Sequence, residues 1–170
     1  VNHRADLNYL LDMMGAEIAI GHSYVRGGDM PEVPPANGGL LGADFAVENP
    51  APGVYVHYGQ QALTTRTNAG DIANAGFIVG TRCVAVVDTG GSYAVGRALR
   101  RAIQRQTPLP VCAVVNTHGH PDHVFGNAAF VDDRPEFIGH ARLADAMRRR
   151  APNYLSALRR DLGETAESTA

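Results

Sequence analysis

From residue 50 onward the chain reads as an α/β fold, with short apolar runs alternating with helical stretches. Three observations carry that reading. Phe77-Ile78-Val79 and Val84-Ala85-Val86-Val87 flank Gly80-Thr81-Arg82, the pattern of two strands around a tight turn. Val95, Leu99, Ala102 and Ile103 recur at helical spacing behind Ser92, a good N-cap residue. Val111 to Val115 is a buried-looking strand that runs straight into a histidine cluster.

The remaining elements follow the same logic. Leu7, Leu10, Leu11, Met14 and Ile18 predict an opening amphipathic helix that ends near Gly15. Pro31, Pro34, Pro35, Gly38 and Gly39 then mark a loop, and Asn49-Pro50-Ala51-Pro52-Gly53 a second break. A boundary at that break divides the chain into 1–49, 50–163 and a frayed tail over 164–170. Val54, Val56 and Tyr58 alternate as one face of a strand. Pro108 stops the helix that Ser92 starts. Phe137-Ile138 predicts a short strand, and Leu143 and Met147 share a helix face. Pro152 sits where a last helix would begin, with Leu155, Leu158 and Leu162 turned inward. The expected core is Phe77, Val79, Val84, Val86, Leu99, Ile103, Val111, Val114 and Val115.

Composition narrows the classes of function. With 45% hydrophobic and 19% charged residues, the 170-residue chain is globular rather than disordered. A net charge of −2 gives no global field toward nucleic acid or acidic membranes. All 15 basic residues are arginine, and several crowd into 140–160, but no aromatic residues interleave with them as a nucleic-acid groove requires. They read as solvated helix faces. No apolar run reaches membrane-spanning length, and no signal peptide is visible. Cys83 and Cys112 each lie in an apolar strand-like run, where a small buried thiol is the expectation, and they form no Cys-x-x-Cys pair.

The chemistry concentrates in Thr117-His118-Gly119-His120-Pro121-Asp122-His123. Imidazole and carboxylate are good zinc ligands, and a strand end is where α/β sites are built. Histidines at i and i+2 can converge on one ion. Asp122 and His123, beyond the proline turn, can face a second. The pattern His118-x-His120-x-Asp122-His123 resembles the signature of the metallo-β-lactamase superfamily. Asn74-Ala75-Gly76-Phe77-Ile78-Val79-Gly80, Val86-Val87-Asp88-Thr89-Gly90 and Gly126-Asn127 are similar to the segments around it there, in the quinoprotein-relay or SoxH-like branch.

That resemblance implies the first half of an αββα sandwich, preceded by a helix-and-loop segment. It implies up to two zinc ions, the first on His118 and His120, the second on Asp122 and His123. A zinc-bound hydroxide would attack an ester, thioester or amide of a small-molecule substrate, with Asp122 as the catalytic residue that orients the nucleophile or takes its proton. No location is assigned: the resemblance is compatible with a periplasmic one, and a cytoplasmic one is the alternative. The family completes its sites with further histidine and aspartate ligands. After His123 only His140 follows, at a spacing that does not match. Two protein ligands per ion are therefore expected where three are usual, together with an uncovered sheet face through which copies could self-associate. Such a chain reads as truncated, and weakly active or inactive as it stands. The alternative is a fragment that binds metal without turnover.

Two further motifs are weighed against this one. Asp88-Thr89-Gly90 is the triplet of aspartic proteases, but it occurs once, and a turn residue beside the metal loop is the simpler role for Asp88. Gly21-His22-Ser23-Tyr24-Val25, with Gly27-Gly28-Asp29 and Gly39-Leu40-Leu41-Gly42-Ala43-Asp44-Phe45, resembles the segment around the catalytic histidine of tricorn-type serine proteases. That would make His22 a general base. No matching nucleophile region follows, so a loop histidine is the simpler reading. His3 and His57 receive no role.

Overall fold

The computed structural model describes residues 45–163. The opening helix, the proline-glycine loop, His22 with its tricorn-type surroundings, and the tail over 164–170 lie outside the described residues. The strands are β1 (Glu48–Ala51), β2 (Val54–His57), β3 (Ala75–Val79), β4 (Val84–Val87), β5 (Val111–Val115) and β6 (Glu136–Ile138), and they form one sheet in chain order. The helices are α1 (Tyr93–Gln106), α2 (Pro121–Val124) and α3 (Leu143–Leu162), with a 3-10 helix over Phe125–Asp133. β1 to β4 pair antiparallel; β4–β5 and β5–β6 are parallel. The parallel pairs need crossovers, which α1 and the α2–3-10 segment supply.

The core follows from alternation. Phe77, Val84, Val86 and Val114 turn to one face of the sheet and are almost wholly buried against Val95, Leu99 and Ile103 of α1. Burying each such side chain stabilises by about 1.5–3 kcal/mol. Ser92 starts α1 as expected: its side chain accepts a hydrogen bond from Val95 N. The helix ends at Gln106, before Pro108. On the outer side of α1, the partly exposed Arg100 holds Asp133 through two bonds of 2.7 Å and so ties α1 to the 3-10 helix.

Four sequence expectations need correction. Val54 and Val56 share one face of β2, but Tyr58 does not extend it. Tyr58 lies beyond the strand and is exposed, while Tyr55 stacks on Phe77 and His57 is buried. Cys83 and Cys112 are not separate buried thiols but a disulfide, with Cα atoms 5.8 Å apart. The β4–β5 register explains why: Val84 pairs Val111 and Ala85 pairs Ala113, so Cys112 bulges out of the ladder toward Cys83. Val79 and Val115 are only partly buried. Pro152 does not begin a helix but lies inside α3. It removes one backbone hydrogen bond, and the strong helix formers on both sides carry the helix through.

β1 passes through the Asn49-Pro50 break. Its proline is accommodated because β1 is an edge strand with exposed residues. Phe45, before β1, is buried in the core and stacks on the His57 ring at 3.6 Å between centroids. Among the described residues no helix is long and apolar enough to cross a membrane.

Candidate metal centre

The loop after β5 sits where β4 and β5 end side by side. Asp88 follows β4 with φ +55°, a conformation that aspartate tolerates better than most residues. Its backbone N–H donates to Val115 O at 2.9 Å, which fixes the two strand ends together. Its carboxylate is buried and faces the loop. Thr117 N donates to Oδ1 at 2.9 Å, and Thr117 Oγ1 to Oδ2 at 2.7 Å. His123 Nδ1 lies 2.8 Å from the same Oδ2. Burial raises the Asp88 pKa, but the hydrogen bonds from His123 and Thr117 outweigh it, and the carboxyl is held below its usual range.

An ionised Asp88 assigns the protons around it. A carboxylate only accepts, so His123 Nδ1 must carry a proton, which leaves Nε2 as the lone-pair nitrogen of the neutral ring. The Thr117 hydroxyl spends its one hydrogen on Asp88. Toward His118 Nδ1, 3.0 Å away, Thr117 Oγ1 can then only accept. His118 therefore also carries its proton on Nδ1 and presents Nε2. One buried carboxylate sets the tautomer of two histidines, one directly and one through a hydroxyl.

The rings gather in space. The His118 centroid lies 4.6 Å from that of His120 and 4.1 Å from that of His123. Asp122 Oδ2 is 3.5 Å from His123 Nε2. Burial lowers the His123 pKa, but the Asp88 hydrogen bond and the charges of Asp122 and Asp88 outweigh it, so the net shift is upward. The four residues expected at the site thus share one surface. The donor set is chemically right for zinc. Among the described residues, however, no group of three or more His, Cys, Asp or Glu side chains is arranged to hold a metal ion. The loop offers pairs of ligands rather than a closed cage. His140, exposed after β6, adds nothing to it.

A polar layer supports the loop from behind. Thr89 Oγ1 donates to Asn127 Oδ1 at 2.9 Å, and the amides of Asn116 and Asn127 exchange hydrogen bonds of 3.1 and 2.8 Å. Thr89 N donates to His123 O, and Gly126 N to Gly90 O. α1 approaches this layer through Gly96. A Cβ there would collide with the backbone of Gly126, so only glycine allows the contact. The sequence marked Asp88 as a turn residue, which it is. Its bonds to His123 and Thr117 were not legible, because partners 29 and 35 positions away meet only when β4 and β5 pair.

The metallo-beta-lactamase superfamily matches residues 69–163, more than half of the chain. The chain belongs to that superfamily. A crystal structure of a metallo-β-lactamase from Hirschia baltica is similar over 62% of this chain and 48% of its own, at 19% identity and a TM-score of 0.52. That likeness supports the α/β fold expected from the sequence, with the sheet and helices of part of a metallo-β-lactamase domain. A linear primary-alkylsulfatase from Pseudomonas sp. (strain ATCC 19151) is 36% identical over 58 residues, 34% of this chain and 11% of that protein. The chain thus spans about half of the solved metallo-β-lactamase and about a tenth of the alkylsulfatase. Superfamily membership supports a hydrolase-type function.

Proposed function

We propose that this loop is the zinc site of a metallo-hydrolase. His118 and His120 would hold the first ion, and Asp122 and His123 the second. The observation that carries the reading is the Asp88–Thr117 relay, which leaves Nε2 of both His118 and His123 as the ligand nitrogen. Zinc, when bound, lowers the pKa of a coordinated water toward about 7 and so supplies a nucleophile at neutral pH. Asp122 orients that nucleophile or accepts its proton, and Asp88 keeps His123 and His118 aimed. The substrate is proposed to be a small molecule with an ester, thioester or amide bond. The alkylsulfatase likeness adds sulfate esters to the panel worth testing.

Turnover by this chain is expected to be weak. Ligand pairs leave much of each coordination sphere to water, and a misplacement of about 1 Å can cost on the order of a hundredfold in rate. The test is hydrolysis of the ester, thioester, lactam and sulfate-ester panel, with zinc added and after chelation. Zinc-dependent turnover that disappears in Asp122→Ala supports the proposal. Turnover that survives chelation, or that Asp122→Ala leaves unchanged, overturns it.

A second reading is favoured by one observation, the lack of three converging ligands among the described residues. In that reading the chain binds metal and turns nothing over. Bound zinc with no hydrolysis of any panel member separates it from the first. For partners beyond substrate, the half-exposed Ile78 of β3 supports self-association through apolar sheet surface. Light scattering across a concentration series would reveal it, and a monomer at every concentration would exclude it.

A further inference from the structure

Against the histidine loop, but lined by none of its rings, lies a cavity of about 620 Å³. That volume falls within the range of small-molecule sites, about 300–1,000 Å³. Its walls are apolar. Leu143, Met147 and Tyr154 come from one stripe of α3, and they face Phe125, Phe137 and Ile138 across the gap. Phe137 and Ile138 are 46% and 42% exposed, so this apolar surface is open to water as it stands. Gly119 of the histidine loop also lines it. A Cβ there would stand 3.1 Å from Leu143 Cδ1 and 3.3 Å from Met147 Cγ. The rings of His118 and His120 do not line the cavity.

The polar groups of the cavity are unevenly placed. Asn116 and Asn127, at the inner end, satisfy each other. His140 and Arg148 stand at the exposed rim. Arg150 adds a second cation near that rim, since its guanidinium lies 3.4 Å from the hydroxyl of the lining residue Tyr154. The Asp145–Arg148 pair is solvent-exposed and therefore weak. An apolar interior with a cationic lip fits one kind of ligand: a flexible hydrocarbon chain with an anionic head.

We infer that this cavity binds an unbranched anionic amphiphile of the fatty-acid type, with the chain against Phe125, Met147 and Tyr154 and the carboxylate at His140 and Arg148. The site is separate from the metal ligands and does not rest on the hydrolase reading. It touches the loop only through Gly119.

The experiment is titration calorimetry on the full chain without metal, using hexanoate, octanoate, decanoate and dodecanoate below their micelle concentrations. Dodecylammonium serves as the head-group control. The expected result is saturable binding that tightens about threefold to fourfold per added methylene, with dodecanoate preferred over dodecylammonium. Ala151→Phe, which fills the cavity from α3, should abolish that dependence on chain length. Arg148→Glu should weaken dodecanoate by at least about threefold while leaving the chain-length trend. The double variant His118→Ala/His120→Ala should bind as the parent does. Binding without chain-length dependence, binding unchanged in a folded Ala151→Phe variant, or no preference for the anionic head overturns the inference. So does an absence of binding together with a dimer that Ala151→Phe dissociates, because the cavity would then be an interface between copies.

Discussion

α1 and α3 are both arginine-rich amphipathic helices, yet the structure uses them in opposite ways. α1 buries Val95, Gly96, Ala98, Leu99, Ala102 and Ile103 against the sheet and is capped by Ser92. α3 is longer, has no side-chain cap and a proline within it, and buries only Leu158 and Leu162 at its far end, against Phe125. Its first half spans the apolar cavity instead of sealing it. Amphipathic spacing thus creates a face to bury but does not say whether the fold fills the space beneath it. α1 is what holds β4, β5 and the histidine loop in place; α3 is held by one end.

The largest effect that would break this contrast is in the core. Leu99→Ala is expected to cost about 2–5 kcal/mol in urea unfolding, whereas Met147→Ala, beside an existing cavity, should cost under about 1 kcal/mol. Equal losses would mean that α3 seals the sheet as α1 does. Next is the disulfide that brackets β4, α1 and the start of β5 across 29 positions. Its reduction should lower stability by about 2–4 kcal/mol, read as a shifted denaturation midpoint. No shift on reduction, or free thiols at both cysteines in the native protein, would remove it from the account.

A smaller effect, at the β2 side of the sheet, depends on pH. His57 Nδ1 is 2.8 Å from Ala46 O and Nε2 is 2.8 Å from Asp71 Oδ1, so with Asp71 ionised both nitrogens donate and the ring is charged. Burial opposes that charge, but the Asp71 hydrogen bond, the Ala46 carbonyl and the Asp71 charge together raise the pKa. A raised folded-state pKa gives stability that is complete below the unfolded value of about 6.5 and is lost as pH climbs through the folded value. Melting temperatures from pH 6 to 9 should fall for the parent, and this decline should flatten in His57→Gln. A parallel decline in both would show that His57 is not its source. The smallest change is Ser92→Ala, worth about 1 kcal/mol through the lost cap of α1.

Local pattern made much of this legible. The turn at Gly80-Thr81-Arg82, the cap at Ser92, and the span Val111–Val115 were all readable, because each depends on neighbours in sequence. What was not legible depends on distant pairing. Tyr55 and His57, rather than Val54 and Val56, face the core, because β3 sets the register of β2 through Tyr55–Phe77. Cys112 meets Cys83 only because the β4–β5 ladder slips beside Val84. At the site, the histidine cluster announces its own chemistry. The carboxylate that sets its tautomers had been hidden in an ordinary Asp-Thr-Gly turn.

Asp88 and Thr117 are proposed to prepare His118 and His123 as zinc ligands. The most direct measurement is zinc content by elemental analysis after reconstitution and dialysis, across a pH series, for the parent, Asp88→Asn, Thr117→Val and the His118→Ala/His120→Ala double variant. The parent chain is expected to retain about one zinc or more, lost as pH drops through the histidine range near 6.5. Retention should weaken on the order of tenfold in Asp88→Asn, less in Thr117→Val, and be abolished in the double variant. A parent chain that retains no more zinc than the double variant would contradict the proposal.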